Sequence, residues 1–338
     1  MTAGIESNMR SNLHVILGNG TVGERLAKVL LLNHKQVLVL TRSKPNYELP
    51  GVSYDVANSK STESMLAAAP KAKVIYNCVN PPYHKWKSDW PAISKAVNEF
   101  AIRSGANLVS SSNLYGYGPH NGVLTEDLPL KATWTNGEVR AEVWQEAKVL
   151  HDAGLLKVTE VRGSDYICAN EQSRMGHRVV PNLLLEKPIQ LLGALDQPHT
   201  WTDPDDVAKL MMVLAEDDRS WGQPWHVPSN EPKTQREVVA DIANALGITN
   251  YSIRAAGPIV ERILGLINPL IRELNKGSYQ FHSPFVMSSK KSFEAFGLIA
   301  KPWQQVIQDL VKPYLDYVNI NGMHSISKLG SERFPDLS

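Results

Sequence analysis

The chain has 338 residues, of which 43% are hydrophobic and 20% are charged. A chain of this length forms one large domain or two domains that share a core, and its composition is typical of a globular protein rather than a disordered one. Its 35 lysines and arginines almost balance 34 acidic residues, which leaves a formal charge of +1. This balance excludes the basic surface of a general nucleic-acid binder, so we expect no nucleic-acid partner.

The sequence shows no feature of membrane insertion or secretion. No apolar run approaches the ~20 residues that span a bilayer, and the opening residues, MTAGIESNMRSN, lack the apolar segment of a secretory signal. Cys78 and Cys168 lie far apart in apolar stretches, which favours buried thiols over a disulfide. We therefore predict a cytoplasmic globular protein without a membrane partner.

Strands and helices alternate through the first half of the chain. The predicted strands are Leu13–Leu17, Gln36–Thr41, Val52–Val56, Val74–Val79, Asn107–Ser110 and Lys157–Arg162. The predicted helices are Val22–Leu32, Thr62–Ala69 (capped by Thr62), Trp90–Ser104 and Gly137–Asp152. This alternation predicts an α/β fold, a Rossmann-type doubly wound parallel sheet with helices on both faces.

The alternation decays after about Asp165. Further helices are predicted over Asp205–Glu216, Thr234–Leu246, Gly257–Lys276 and Pro302–Tyr317, with Asp205 and Asp206 as capping residues. We predict a cofactor-binding Rossmann domain over residues 12–165 and a smaller C-terminal substrate-capping region over 166–324, partly interleaved with the Rossmann core. Residues 1–11 and 325–338 are predicted to be flexible tails.

Two groups of apolar residues in the second half suggest a substrate pocket. The apolar segment Ile263–Ile271 is interpreted as a lid over the substrate, although it could also contact a membrane or a partner subunit. Four aromatic residues favour a moderately hydrophobic substrate: Trp201, Tyr251, Phe281 and Phe285. A sugar nucleotide would need a basic cluster, for which the candidates are Arg254, Arg262 and Arg272.

A glycine-rich segment follows the first predicted strand and opens the first predicted helix. It consists of Gly18, Asn19, Gly20, Thr21, Val22 and Gly23, and has the pattern G-x-G-x-x-G. In this context the first glycine makes a tight turn, the second lets the backbone approach a pyrophosphate, and the third lets the helix pack close to the strand. The segment therefore predicts a dinucleotide site, and the alternative is an ordinary glycine turn in a nucleotide-free protein.

The end of the second predicted strand indicates which dinucleotide binds. NAD-specific proteins commonly have an acidic residue there that holds the ribose 2′-hydroxyl, whereas this chain has Thr41, Arg42, Ser43 and Lys44. A guanidinium can hold a 2′-phosphate through two hydrogen bonds, and Ser43 can add another. We therefore predict NADP(H) rather than NAD(H). Asp55, near the end of the third predicted strand, either contacts the adenine amine or caps a turn.

Several segments together resemble one family. The glycine motif, Arg42, the serines at 110–112 with Tyr115 and Gly116, and the segment Asp205–Ala208 are similar to extended short-chain dehydrogenases/reductases, in an atypical branch described as NAD(P)-dependent epimerase/dehydratase-like. The resemblance runs from about Asn12 to Tyr317. It implies that Val79 and Asn80 contribute to the cofactor site, that Ser111 hydrogen-bonds the substrate oxygen (with Ser112 as the neighbouring alternative), and that the protein forms a homodimer.

The chain departs from this family at the catalytic pair. Members use a Tyr-x-x-x-Lys motif, but the corresponding positions hold Asn136 and Arg140. Arg140 can hold the nicotinamide ribose and stabilise negative charge, but arginine does not readily release a proton. The candidates for the missing proton donor are Tyr115 and Tyr83, with Glu142 and Tyr166 as weaker alternatives.

Other chemistries have little support in the sequence. None of the ten histidines forms an H-x-x-x-H or H-E-x-x-H pattern, so no metal site is predicted, and a G-x-S-x-G hydrolase motif is absent. His199 and Trp201 could line a substrate cleft, but a packed aromatic loop is favoured. The sequence predicts an NADP(H)-dependent oxidoreductase acting on a carbonyl or secondary alcohol of a small-molecule substrate. The alternatives are a sugar-nucleotide epimerase or dehydratase and a non-catalytic NADP(H)-binding sensor.

Overall fold

The structure is a computed structural model that describes residues 12–45, 47–170, 173–256 and 277–328. The strands of the central sheet are β1 (Leu13–Leu17), β2 (Gln36–Thr41), β3 (Ser53–Val56), β4 (Val74–Asn77), β5 (Asn107–Asn113), β7 (Val158–Gly163) and β11 (Pro224–His226). The strands of three small two-stranded sheets are β6 (Val123–Leu124), β8 (Asp165–Tyr166), β9 (Ile189–Leu192), β10 (Trp201–Thr202), β12 (Ile253–Ala256) and β13 (Val286–Met287).

Helices connect most of these strands. They are α1 (Thr21–Leu32), α2 (Thr62–Ala68), α3 (Trp86–Ser104), α4 (Thr135–Asp152), α5 (Val180–Leu184), α6 (Pro204–Glu216), α7 (Gln235–Ala245), α8 (Tyr279–His282), α9 (Lys290–Phe296) and α10 (Trp303–Asn321). No helix within the described ranges is both long enough and apolar enough to cross a bilayer. The predicted helix Gly257–Lys276, with the proposed lid, Arg262 and Arg272, lies outside the described residues.

The seven-stranded sheet has the order β11-β7-β5-β4-β1-β2-β3. β1 pairs in parallel with both β2 and β4, so that Leu13 lies opposite Gln36 and His14 opposite Val74. The pairs β2–β3 and β4–β5 are also parallel. This confirms the predicted doubly wound sheet, and the carboxyl ends of its parallel strands lie along one edge, where ligands of such folds bind.

The predicted elements agree with most of the observed ones, and the differences have local causes. Leu13–Leu17 and Gln36–Thr41 are strands with the predicted bounds. The residue that caps α2 is Ser61 rather than Thr62, because the Ser61 side chain accepts a hydrogen bond from the N–H of Ser64. The seventh strand, β11, was not predicted, since three residues are too few to show a hydrophobic period.

The chain folds into two compact units, each built from several separate segments. The first takes the described residues up to Ser112 together with Glu142–Val161 and Ala208–Trp225. The second takes Asn113–Ala141, Arg162–Val207 and the described residues from His226 onward. The functional division at residue 165 stays a prediction.

The second unit has an apolar core of its own. Trp201 and Phe281, with exposed fractions of 2% and 4%, belong to one buried cluster, and Phe285 belongs to another. The side chains of these three residues fill the core, which agrees with the packed aromatic loop favoured for Trp201 and gives no support to a moderately hydrophobic substrate. Ile326 is also buried in the first cluster, so the described part of the predicted tail from residue 325 is packed.

A lysine near the start of α6 neutralises three carboxylates in the second unit. The Nζ atom of Lys301 lies 3.0 Å from Asp203 and 2.8 Å from Asp309, and also pairs with Asp205. The Asp203 side chain accepts from the N–H of Asp205 at 2.7 Å, so Asp203, and not the predicted Asp205 or Asp206, holds the start of the helix. Asp206 instead accepts from the Lys301 N–H at 2.8 Å.

Candidate functional site

The glycine segment forms a tight cradle between β1 and α1 in the first unit. Gly18 has φ +96°, a conformation that favours glycine, and its N–H donates to the Leu40 carbonyl at 2.9 Å. A Cβ atom at Gly18 would lie 3.2 Å from the Cys78 carbonyl oxygen, at the end of the neighbouring strand. A Cβ atom at Gly23 would overlap the Gly18 carbonyl oxygen. Helix α1 therefore packs this close to the turn because residue 23 is glycine, and the turn lies this close to the end of β4 because residue 18 is glycine.

The remaining residues of the cradle fit a bound pyrophosphate. Gly20 precedes α1, and no side chain caps this end of the helix. No described atom lies within 4 Å of where a Cβ of Gly20 would be, so the backbone there borders open space. The buried Oδ1 atom of Asn19 also has no hydrogen-bond partner. Helix N–H groups without a side-chain cap are suited to an anion, and the residues present fit a dinucleotide.

The other predicted cofactor residues follow neighbouring strands of the same unit. Arg42 and Ser43 are exposed directly after β2, and the Thr41 hydroxyl donates to the Ser43 carbonyl at 2.7 Å. Asp55 is exposed in β3, where its Oδ1 accepts from the Val56 N–H at 2.7 Å. The exposed Arg42 side chain leaves its guanidinium accessible to a ligand.

The segment after β4 borders the glycine cradle. Val79 is half-buried and Asn80 is exposed. The Val79 nitrogen would lie 3.5 Å from a Cβ at Gly18, and its N–H donates to the Asn77 side chain at 3.2 Å. The structure therefore brings Val79 together with the cradle, and its contribution to cofactor binding stays a prediction.

A comparison with protein-family models identifies the family to which this chain belongs. The model of the NAD dependent epimerase/dehydratase family matches residues 15–227, which include the glycine cradle and nearly all of the central sheet. The chain belongs to the NAD-dependent epimerase/dehydratase family. Its fold and family resemblance are thereby confirmed, and a nicotinamide dinucleotide is the cofactor that the family name specifies. A search of curated proteins finds no match.

Solved structures of several enzymes share the fold of this family member. A GalE-like L-threonine dehydrogenase from Cupriavidus necator has a TM-score of 0.74 at 12% identity, covering 90% of this chain and 100% of its own. UDP-glucose 4-epimerase from Thermotoga maritima, solved with UDP-glucose, has a TM-score of 0.73 at 13% identity, with coverages of 90% and 99%. DesIV, a dTDP-glucose 4,6-dehydratase from Streptomyces venezuelae, has a TM-score of 0.72 at 16% identity, with coverages of 91% and 98%. At these identities the likeness shows the fold alone.

The predicted catalytic residues of this epimerase/dehydratase family member fall in both units. In the first unit Ser111 is half-buried in β5 and Ser112 is buried. Tyr83 stacks on Trp86, with ring centroids 4.8 Å apart. In the second unit Tyr115 follows β5 and lies 5.2 Å from the Trp134 ring. Their assignment to catalysis stays a prediction.

The first turns of α4 hold the residues that replace the family's Tyr-x-x-x-Lys pair. Asn136 and Arg140 are both buried, with exposed fractions of 2% and 7%. A Cβ atom at Gly137 would lie 2.7 Å from the Tyr115 carbonyl oxygen, so α4 passes close to Tyr115. The structure therefore brings the segment at Tyr115 and this end of α4 together within the second unit. Of the weaker candidates, Glu142 is exposed and Tyr166 is half-buried.

A buried polar network in the second unit was not predicted. An Arg162 N–H donates to the Tyr117 hydroxyl at 2.7 Å, and this hydroxyl lies 2.8 Å from His226 Nε2. His226 Nδ1 lies 2.8 Å from the Ser288 carbonyl, so this nitrogen carries the proton and Nε2 accepts from Tyr117. Burial lowers the pKa of His226 to about 3. The imidazole is therefore neutral and has a structural role at neutral pH.

A second buried histidine lies beside a carboxylate at the end of β7. His199 Nε2 is 3.1 Å from Asp165 Oδ2, and Asp165 comes two residues after the strand ends at Gly163. The sequence left His199 open between a substrate cleft and a packed aromatic loop, and it did not single out Asp165. The available signal was the position of Asp165 shortly after the predicted strand Lys157–Arg162, but its partner is 34 residues away.

Proposed function

We propose that this protein is an NADP(H)-dependent oxidoreductase of the short-chain dehydrogenase/reductase type. It would move a hydride between the cofactor and a carbonyl or secondary alcohol carbon of a small-molecule substrate. The observation that carries the proposal is the cradle of Gly18, Gly20 and Gly23, with its uncapped helix end, its open space and the partnerless Asn19 oxygen.

Different residues of this chain would bind different parts of NADP(H). The backbone from Gly18 to Gly23 would hold the pyrophosphate, Arg42 and Ser43 the 2′-phosphate, and Asp55 the adenine amine. Val79 and Asn80 would border the cofactor, and the resemblance assigns the nicotinamide ribose to Arg140. When bound, the nicotinamide supplies or accepts the hydride.

Ser111 would orient and polarise the substrate oxygen. Its hydroxyl can donate a hydrogen bond to a carbonyl oxygen, which stabilises the negative charge that develops there when a hydride is added to the carbon. Tyr115 and Tyr83 remain the sequence-based candidates for the proton donor. Two other functions are kept: a sugar-nucleotide epimerase or dehydratase, which begins with the same hydride transfer, and a sensor that binds NADP(H) without turnover.

Turnover distinguishes an enzyme from a sensor. We expect the protein to consume NADPH steadily with a member of a panel of ketones, aldehydes and nucleotide sugars. Ser111→Ala should lower this rate about 100-fold, because removing one donor to a developing oxyanion has an effect of this size. Ser110→Ala is the matched control, since neighbouring residues of a strand point to opposite faces. Tight NADPH binding with no turnover on any compound would favour the sensor.

Arg42 decides the choice between the two cofactors. We expect Arg42→Ala to weaken NADPH binding at least about tenfold, because a hydrogen-bonded pair with a phosphate contributes at least about 1.4 kcal/mol. NADH binding should change by less than about threefold, since NADH has no 2′-phosphate. Calorimetric titration of both cofactors measures this difference, and Arg103→Ala, which removes another exposed arginine of the first unit, is the control. Equal losses for NADPH and NADH would show that the 2′-phosphate assignment is wrong.

A further inference from the structure

A small cavity lies inside the first unit, between the central sheet and helices α3 and α4. Its volume is about 10 Å³, which is close to the space that one water molecule needs. Asn77 and Glu160 line it from the sheet, and Asn98 and Trp144 line it from the helices. All the residues that line the cavity belong to the unit that holds the glycine cradle.

Asn77, the last residue of β4, has a free amide group at this cavity. The N–H of Val79 donates to Asn77 Oδ1 at 3.2 Å. A backbone N–H can only donate, so the atom that faces Val79 is the carbonyl oxygen of the Asn77 side chain. Asn77 is 4% exposed, and within the described ranges its amide nitrogen donates to no protein atom. The N–H groups of this nitrogen therefore remain for a ligand of the cavity.

Asn98 on α3 is a second buried amide that lines the cavity. Its exposed fraction is 6%, and its side chain has no hydrogen bond with any residue that the structure describes. Burying an amide without a partner is costly, so proteins satisfy such groups with their own atoms or with ordered water. Glu160, which is 3% exposed, adds a carboxylate that can accept a hydrogen bond.

These groups fit a water molecule better than a cation. A water molecule can accept from the Asn77 amide nitrogen and donate to the Glu160 carboxylate and to the carbonyl oxygen of Asn98. A buried water typically makes about three hydrogen bonds. A cation would instead face the N–H groups of Asn77, which carry partial positive charge and cannot coordinate it.

The same asparagine sets the course of the chain beside the glycine cradle. The Cys78 N–H donates to the Leu17 carbonyl at 3.0 Å, whereas the next N–H, that of Val79, turns to the Asn77 side chain. A hydrogen bond from an asparagine side chain to the backbone two residues later forms a turn. This turn starts where the Cys78 carbonyl oxygen lies 3.2 Å from the place of a Cβ atom at Gly18.

We propose that one buried water molecule occupies this cavity and that Asn77, held by this water, is a positioning residue for the dinucleotide. The water fixes the orientation of the Asn77 amide, and the amide oxygen fixes Val79 beside the cradle. The positioning role rests on the proposed function, whereas the water site does not.

A crystal structure of the wild-type protein that resolves ordered water tests the water site. We expect a water oxygen within about 3.2 Å of the amides of Asn77 and Asn98. Asn98→Leu tests the same site in solution, because leucine has the same branched shape but forms no hydrogen bond. The urea midpoint of Asn98→Leu should fall, since the water loses a partner. If the Asn98 amide had no partner, its removal would raise the midpoint.

Two truncations of Asn77 test the positioning role. Asn77→Ala removes the acceptor for the Val79 N–H, and we expect the Kd values for NADPH and NADH to rise alike, about fivefold, the usual effect of one lost hydrogen bond. Both should change because the segment borders the pyrophosphate, which the two cofactors share. Asn77→Ser regains a hydroxyl that can accept from the N–H two residues later, so its Kd values should return to within about twofold of wild type.

Asn107→Ala is the matched control for these titrations. Asn107 is half-buried at the start of β5, the strand beside β4, and therefore lies at the opposite edge of the sheet from Asn77. Its Kd values for NADPH and NADH should equal those of the wild-type protein. A merely structural role of Asn77 would change the urea midpoint of Asn77→Ala but not the cofactor affinity of its folded form.

The outcomes separate this inference from the proposed function. A dry cavity in the crystal structure, or a higher urea midpoint for Asn98→Leu, would show that the water site is wrong. If Asn77→Ala binds NADPH as wild type does, or if Asn77→Ser binds no better than Asn77→Ala, Asn77 does not position the dinucleotide, and the proposed function stands. If the folded wild type takes up neither cofactor, the proposed function fails, and the positioning role fails with it.

Discussion

Gly23→Ala is expected to damage both the stability and the cofactor binding of this protein. The new Cβ atom would overlap the Gly18 carbonyl oxygen, so α1 must move away from β1. Forcing a methyl group into a packed contact typically costs about 1–3 kcal/mol. Urea denaturation should show this loss, and calorimetry should show that NADPH binding is lost with it, because the backbone N–H groups no longer converge on the pyrophosphate.

Gly20→Ala is the matched variant that separates binding from folding. Its Cβ atom would meet no described atom within 4 Å, and Gly20 has φ −94°, which alanine adopts without strain. We therefore expect the free energy of unfolding to stay within about 0.5 kcal/mol of wild type. The methyl group would occupy the place where the pyrophosphate approaches the backbone, so NADPH affinity should fall at least about tenfold. Unchanged NADPH affinity in Gly20→Ala would contradict the placement of the pyrophosphate.

Lys301→Met is expected to be the most destabilising change away from the glycine cradle. The Lys301 side chain is 12% exposed and neutralises Asp203, Asp205 and Asp309. Methionine keeps the apolar stem but leaves the buried carboxylate of Asp203 without Lys301, next to Asp205 and Asp309, whose side chains are 36% and 44% exposed. Because solvent screens the two exposed carboxylates, we expect a loss of about 1–3 kcal/mol. Denaturation in urea at neutral pH measures this loss directly.

Lys312→Met is the control, because Lys312 is 70% exposed and pairs with Asp316 one helical turn away. Such surface pairs contribute about 0.5 kcal/mol or less. If both variants lost the same small amount of stability, neutralisation of the three carboxylates by Lys301 would not stabilise the fold.

The loss of stability in Lys301→Met, relative to the wild-type protein, should also depend on pH. Burial, and then the charge of Asp205, raise the pKa of Asp203 in the folded protein, and Lys301 opposes this shift. Without Lys301 the folded state binds protons more readily than the unfolded state, so the unfolding free energy of the variant rises relative to wild type as the pH falls. The difference in the free energy of unfolding between Lys301→Met and the wild-type protein should therefore become smaller from neutral pH toward about pH 4.

The first half of the fold could be predicted because its signals are local. β1 and β2 are uninterrupted apolar runs, and the segment from Gly18 to Gly23 fixes the turn between β1 and α1. The capping residue of α2 was missed because Ser61 and Thr62 are adjacent, and only the backbone conformation decides which one precedes the helix.

The second unit could be predicted less well because its contacts join distant parts of the chain. The sequence left Trp201 open between a substrate cleft and a packed aromatic loop, because its place in the core depends on residues as far away as Tyr314. The pairing of Asp165 with His199 joins residues 34 positions apart, and no periodic pattern links them. Lys301 likewise meets Asp203 across almost a hundred residues.

Calorimetric titration of the folded wild-type protein with NADPH and with NADH tests the central claim most directly. The account predicts that one NADPH binds per chain, more tightly than NADH, and that Gly20→Ala weakens this binding while the fold is retained. A well-folded protein that takes up neither cofactor would contradict it.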